Sequence, residues 1–299
     1  MMKKIKFLII LVFLISISAC YLLLISDTSN LNEHEISDTD FDNAPVQQVD
    51  KQENSNSVKL SELLNAYIYE HNIEDKISVY IHGFSNDDSY AHNANENFFA
   101  ASIYKVPLAM RYYEKINNGE LSLENTLLYE NYHYESGGPI GDYYSFGSYI
   151  PIKTLLEYMI VYSDNTAAHI LFENLGGWVS FKHEIAKYSK SGIDNEFYST
   201  ENILTANYMN DVMDYLYVNR DKFELLLTDM KQQTSFNFLS RYVEADIAQK
   251  YGLYNDFVNS VGLVFGSSPY SIVVFTSLGE QGVEHIARIN EICYNLYNK

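Results

Sequence analysis

Between residues 58 and 299 the hydrophobic period changes twice, and that switch limits the fold more than any other feature. The segment opens with LSELLNAYIYEHN, an amphipathic helical pattern, followed by KISVYIHGF, where Ile77, Val79 and Ile81 alternate with Ser78, Tyr80 and His82 as in a strand. The middle then turns helical. PIKTLLEYMI sets Ile152, Leu155, Leu156, Met159 and Ile160 on one stripe with Pro151 near its start, and TAAHILFENLGG ends at Gly176 and Gly177. ILTANYMNDVMDYLY and KFELLLTDM continue the helical pattern. The period returns to two in ADIAQKYG, FVNSVGLVFG and YSIVVFTS, three short strands separated by turn residues. A last helix carries Ile286, Ile289, Cys293 and Leu296 on one face. This order predicts one sheet closed by both ends of the chain, with helices inserted between, and it shows no internal repeat.

The residues before this region follow different rules. Residues 1–6 hold Lys3, Lys4 and Lys6 and precede an uncharged stretch from Phe7 to Ser26. About 20 apolar residues suffice to cross a bilayer core, and the lysines predict an N-terminus on the inner side. Residues 7–26 are therefore expected to be a signal anchor, in a single-pass protein of the cytoplasmic membrane with its folded part on the extracytoplasmic side. The alternative is a lipoprotein anchored at Cys20, since ISAC loosely resembles a lipobox; the apolar residues that continue to Ile25 favour the anchor. Residues 27–57 are polar and acidic, too poor in large apolar groups to offset chain entropy, and are expected to form a disordered linker. Residues 58–299 form the expected folded domain.

A formal net charge of -19 repels phosphate backbones and argues against a nucleic-acid partner. Cys20 and Cys293 lie in separate parts of the chain, so no disulfide framework is expected. The eight histidines lack metal-ligand spacing, and no metal or organic cofactor is expected.

Within the apolar run FFAASIYKVPLAM, Ser102 and Lys105 stand three residues apart. On a helix that spacing puts them on one face with Cβ atoms about 5–6 Å apart, close enough for the amine to reach the hydroxyl. Alone the pair is open to two readings: a helix N-cap followed by a snorkelling lysine, or a nucleophile beside its base. Further along, Ser163, Asp164 and Asn165 start a predicted helix, and Lys250, Tyr251 and Gly252 lie on a predicted strand. S-x-x-K, S-D-N and K-x-G in that order resemble the signature set of the serine β-lactamases and penicillin-binding proteins. The T-A-A after S-D-N, the Gly176–Gly177 pair and Asn255–Asp256 after the K-x-G strand agree. Residues 58–299 thus resemble the class A β-lactamase group and its penicillin-binding relatives.

The resemblance implies an α/β fold of the α+β type, β-lactamase/transpeptidase-like, with an antiparallel sheet flanked by helices and an inserted all-helical subdomain. It implies that Ser102 attacks an amide or lactam carbonyl, that Lys105 takes its proton, and that Ser163 relays a proton to the leaving nitrogen. Asn165 and Lys250 would bind the substrate's amide side chain and carboxylate, and the N–H groups of Ser102 and Leu253 would form the oxyanion hole. Gly252 would let the substrate approach the strand edge. A neutral Lys105 is expected from burial and from the nearby Lys250 cation. Asp164 reads as a turn or cap residue.

Two departures stand out. Tyr251 replaces the usual Thr or Ser at a substrate-binding position. The loop glutamate that activates water for deacylation has no full match; Glu201 in ENILT comes closest, with Thr205 in place of Asn, and Glu196 follows. The sequence therefore points to an extracytoplasmic D,D-peptidase-like serine hydrolase, expected to be monomeric, acting on a β-lactam or a peptidoglycan stem peptide. The alternatives are an efficient class A β-lactamase conferring resistance and a non-catalytic cell-wall or antibiotic-binding domain. With only about six residues ahead of the apolar stretch, an inward signalling output is disfavoured.

Overall fold

The computed structural model describes residues 55–233 and 238–299, which fall within one compact unit, Lys51–Lys299. The expected inner N-terminus, the Phe7–Ser26 anchor and nearly all of the 27–57 linker lie outside the described residues. Among the described residues no helix is long and apolar enough to cross a membrane.

In chain order the elements are α1 (Ser55–Glu70), β1 (Ile77–Gly83), β2 (Asp88–His92), β3 (Phe98–Phe99), α2 (Lys105–Asn117), β4 (Thr126–Leu128), the one-turn α3 (Ile140–Tyr143) and β5 (Tyr149–Pro151). There follow α4 (Ile152–Val161), α5 (Asn165–Asn174), α6 (Gly177–Ile185), β6 (Ile203–Leu204), α7 (Ala206–Val218), α8 (Glu224–Lys231), β7 (Asp246–Tyr254), β8 (Phe257–Phe265), β9 (Tyr270–Thr276) and α9 (Gln281–Asn298). Helix α1 begins at Ser55, three residues inside the stretch read as linker, because the polar Ser55-Asn56-Ser57 supplies the first turn of the amphipathic helix.

Five strands form one antiparallel sheet in the order β2-β1-β9-β8-β7. The N-terminal β1 lies beside the C-terminal β9, so the sheet is closed by both ends of the chain with the helices of the middle inserted, as the change of period implies. Strand β2 was not anticipated. It returns through a turn at Asp87, whose φ is +57°, a conformation that Asp tolerates better than most residues.

Strand β9 is buried along its whole length because both faces of the sheet are covered. Ile272 and Val274 join Leu60, Leu64 and Ile68 of α1 and Ile286, Ile289 and Cys293 of α9 in one apolar cluster. Val273 and Phe275 join a larger cluster with residues of α2, α4, α5 and α7. Two-sided burial explains the nearly continuous apolar run of YSIVVFTS. Cys293 is a free thiol inside the first cluster, where burial pushes its pKa well up and makes it inert.

Ile289 is fully buried where α9 meets the sheet. Ile289→Ala is expected to lower the unfolding free energy by about 2–5 kcal/mol, measured by denaturant titration.

Candidate active site

The helical layer and the edge of the sheet meet at the three motifs. Ser102 sits in a 3-10 turn, Ala101–Tyr104, that runs directly into α2, and it is half-buried. Lys105 is the first residue of α2 and is fully buried, as is Lys250 on β7. Helix α5 begins at Asn165 with Asp164 as its N-cap, and the Asp164 Oδ1 accepts from Ala167 N at 2.7 Å. Its Oδ2 accepts from Ile140 N at 2.8 Å, so one carboxylate closes the helix end and holds the covering loop. Asp164 is thus a structural residue, as the turn reading supposed.

The preceding residue, Ser163, takes a left-handed backbone, φ +57°, and stands between the two lysines. Lys250 Nζ donates to Ser163 Oγ at 3.0 Å, and Lys105 Nζ lies 3.4 Å from the same oxygen. Lys105 Nζ also donates to Ser163 O and Asn165 Oδ1, each at 2.7 Å. Two N–H groups satisfy those two acceptors, so the third tetrahedral position of a neutral amine, its lone pair, remains for a hydroxyl proton. Among the described residues no hydrogen bond joins Lys105 Nζ to Ser102 Oγ. The amine is instead engaged by Ser163 and Asn165. Catalytic hydrogen bonds often tighten only in the substrate complex.

Burial pushes the Lys105 amine down to about 7, while the carboxylates of Asp164 and Glu135 pull the other way. Lys250 is also pushed far down, first by burial and then by the charge of Lys105. Burial, the first of the two expected causes, is the larger for Lys105. The low-dielectric wall is the main cause for both amines.

Strand β7 is the sheet edge facing the Ser102 turn. Tyr251 N donates to the Gln233 side chain at 3.1 Å, so that N–H points away from β8. Period two then directs the Leu253 N–H the same way, toward the open edge, and the Leu253 side chain is exposed. Gly252 is hemmed in by the Ser102 turn. A Cβ there would stand 2.8 Å from Ala100 O and 2.9 Å from Ser102 N, so the absence of a side chain allows the Ser102 turn to lie against the strand.

The Tyr251 side chain is packed within the fold. Its ring is largely buried and stacked on Phe238, with centroids 5.3 Å apart, and the Lys250 Nζ lies 4.3 Å from its centroid. The residue packs beneath the lysine instead of standing in the position of a small open hydroxyl. Asn165 has both ends of its amide engaged, since its Nδ2 donates to Ser136 O at 2.8 Å. A substrate amide would have to share or displace one of these bonds.

The loop glutamates are not brought to the lysines. Glu201 is exposed, with its N–H on Ser199 Oγ, and Glu196 is exposed on a short 3-10 turn. Thr205, which stands where a second asparagine would be expected, caps α7 by accepting from Tyr208 N at 3.1 Å. The loop 134–140 was missed by motif reasoning. It covers α5 through Asn165–Ser136, Asp164–Ile140 and the Thr166 hydroxyl, which donates to Glu135 O at 2.9 Å. Its signal was the Gly-Gly-Pro run: a Cβ on Gly138 would lie 2.2 Å from the Asp164 carboxylate. Among the described residues no group of His, Cys, Asp and Glu could hold a metal ion.

A serine turn leading into a helix whose first residue is a buried lysine, a second serine held by that lysine and by Lys250, and a sheet interrupted by helices fit a serine hydrolase of the β-lactamase/transpeptidase fold. A family model described as the beta-lactamase enzyme family matches residues 59–298, and the chain belongs to that family. It is 22% identical to the beta-lactamase BRO-1 of Moraxella catarrhalis over 75% of this chain and 77% of that protein. With the extended-spectrum beta-lactamase PER-1 of Pseudomonas aeruginosa it shares 32% identity over 28% of this chain and 29% of the relative's length. Among solved structures, a point mutant of PBP-A, an acyl-enzyme complex with penicillin G, superposes with a TM-score of 0.70 at 19% identity. That match covers 80% of this chain and 96% of the other. An ancestral class A beta-lactamase gives 0.69 at 17% identity, covering 79% and 99%. These structures share the fold with this chain.

Gly252→Ala is expected to slow acylation of Ser102 by a β-lactam about 100-fold, because the Ser102 turn must move away from β7. Stopped-flow kinetics with nitrocefin checks this, with far-UV circular dichroism unchanged.

Proposed function

We propose that the chain is a membrane-anchored, extracytoplasmic hydrolase of the D,D-peptidase type. It forms an acyl-Ser102 intermediate with a β-lactam or an acyl-D-Ala-D-Ala-like peptidoglycan amide. Ser102 Oγ attacks the carbonyl carbon while its proton passes to neutral Lys105. As the C–N bond breaks, the proton moves through Ser163 Oγ to the leaving nitrogen, leaving an ester on Ser102 and a neutral base. The N–H groups of Ser102 and Leu253 would hold the oxyanion. Lys250 would meet the substrate carboxylate, whose charge favours return of the lysine's proton.

The observation that carries the peptidase side of the reading is the electrostatics of Lys105. The carboxylates that act on it are Asp164, which is committed to capping α5, and Glu135 on the covering loop. Glu201 and Glu196 stand exposed. Acylation is then supported by two amines and a serine, whereas a carboxylate poised to activate water for hydrolysis of the ester is not. The second reading, an efficient class A β-lactamase, is favoured by the curated relatives, which are named as beta-lactamases.

Intact-mass measurement after mixing with a fluorescent penicillin separates the two. A persistent adduct, lost in Ser102→Ala and Lys105→Ala, is expected; rapid loss of the adduct that stops in Glu201→Gln would establish the β-lactamase reading instead.

Acylation is also expected to depend on pH in one direction. Only the neutral amine accepts a proton, so the rate should climb as pH rises through about 7 and then level off. A nitrocefin burst measured from about pH 5.5 to about pH 9 checks this.

A further inference from the structure

The backbone that delivers Ser102 is bent into an unusual conformation. Ala101 has a φ of +50°, in the left-handed region that a residue with a Cβ avoids. Such a conformation persists where the surroundings over-determine it. Here two asparagines from opposite sides do so.

Asn259 lies on β8 opposite Gly252 and is fully buried. Its Nδ2 donates to Phe99 O at 2.9 Å and Ala100 O at 3.2 Å, and its Oδ1 accepts from Thr276 N at 3.1 Å. Asn202 comes from the loop before β6. Its Nδ2 donates to Ala101 O at 2.8 Å, and its backbone O accepts from Ala100 N at 2.8 Å. Every carbonyl from Phe99 to Ala101 is therefore held by one asparagine or the other.

The orientation of Asn202 is set by the turn itself. Its Oδ1 is buried without a hydrogen-bond partner among the described residues, and inverting the amide would place that oxygen against the Ala101 carbonyl. The loop is in turn fastened by Lys182 of α6, which is buried and donates to Phe197 O at 2.6 Å and Ile203 O at 3.2 Å. Both contacts flank Asn202 in the chain.

We propose that Asn202 and Asn259 are positioning residues of the acylation step, clamping Ala100 and Ala101 so that Ser102 presents its hydroxyl and N–H to the carbonyl under attack. Neither touches the reacting atoms, and the inference rests on Ser102 being the nucleophile. With the three carbonyls so held, Ser102 N lies against β7, 2.9 Å from where a Gly252 Cβ would stand. A shift of about 1 Å in such an arrangement can cost about 100-fold in rate.

The test uses the full chain with Asn202→Asp, Asn202→Ala and Asn259→Ser, and nitrocefin as the probe at about pH 8, above the Lys105 value. Asn202→Asp keeps the shape but offers no N–H to Ala101. The limiting acylation rate is expected to fall at least about tenfold in both Asn202 variants. The half-saturating concentration should stay within about threefold, with the melting temperature nearly unchanged. Asn259→Ser is expected to follow if it folds; should it not, the loop variants decide. A wild-type limiting rate in folded Asn202→Asp, or a loss confined to the half-saturating concentration, would overturn the clamp. A wild-type chain that forms no Ser102 adduct would instead overturn the nucleophile assignment, and the clamp with it.

Discussion

Two fully buried amines share one serine hydroxyl, and the rest of the molecule is arranged to make that possible. An ammonium is costly to bury without a paired carboxylate, and the usual escape is to give up its proton. The helices inserted between β1 and β7 supply the wall that enforces this, since the larger apolar cluster draws on α2, α4, α5 and α7. A chain of this length thus builds two hydrophobic layers, one that stabilises the sheet and one that also sets a proton affinity.

The sheet contributes position. Because β7 is an edge strand, it can offer backbone N–H groups to a ligand, and because residue 252 is glycine, the Ser102 turn can lie against it. Asp164 does comparable work on the other wall by closing the first turn of α5 and holding Ile140 N. Its neighbours Ser163 and Asn165 are thereby fixed toward Lys105. One acid in the S-D-N motif is architectural, and its effect on chemistry is through the residues beside it and through its field on Lys105.

Much of this was legible in the sequence. The change of hydrophobic period gave the closure of the sheet, since Ile272 to Phe275 and Ile286 to Cys293 bury the faces their spacing suggests. The three motifs gave residues that the fold brings together, because their types are demanded by chemistry and do not depend on exact packing. What stayed hidden depends on long-range contacts. Strand β2 has too few apolar residues to show an alternation. Tyr251 reads as a substituted hydroxyl until its ring is seen against Phe238. Asn202 and Asn259 look like ordinary polar residues, and only the turn they hold from two distant segments gives them meaning.

The account stands on Lys105 being an uncharged amine near neutral pH because it is buried. The direct measurement is a titration of the lysine side-chain carbon signals by NMR in the full chain, with Lys105→Arg to identify the resonance. The structure requires the Lys105 signal to titrate at about 7. A Lys105 signal that keeps the character of an ordinary ammonium up to about pH 10 would contradict it.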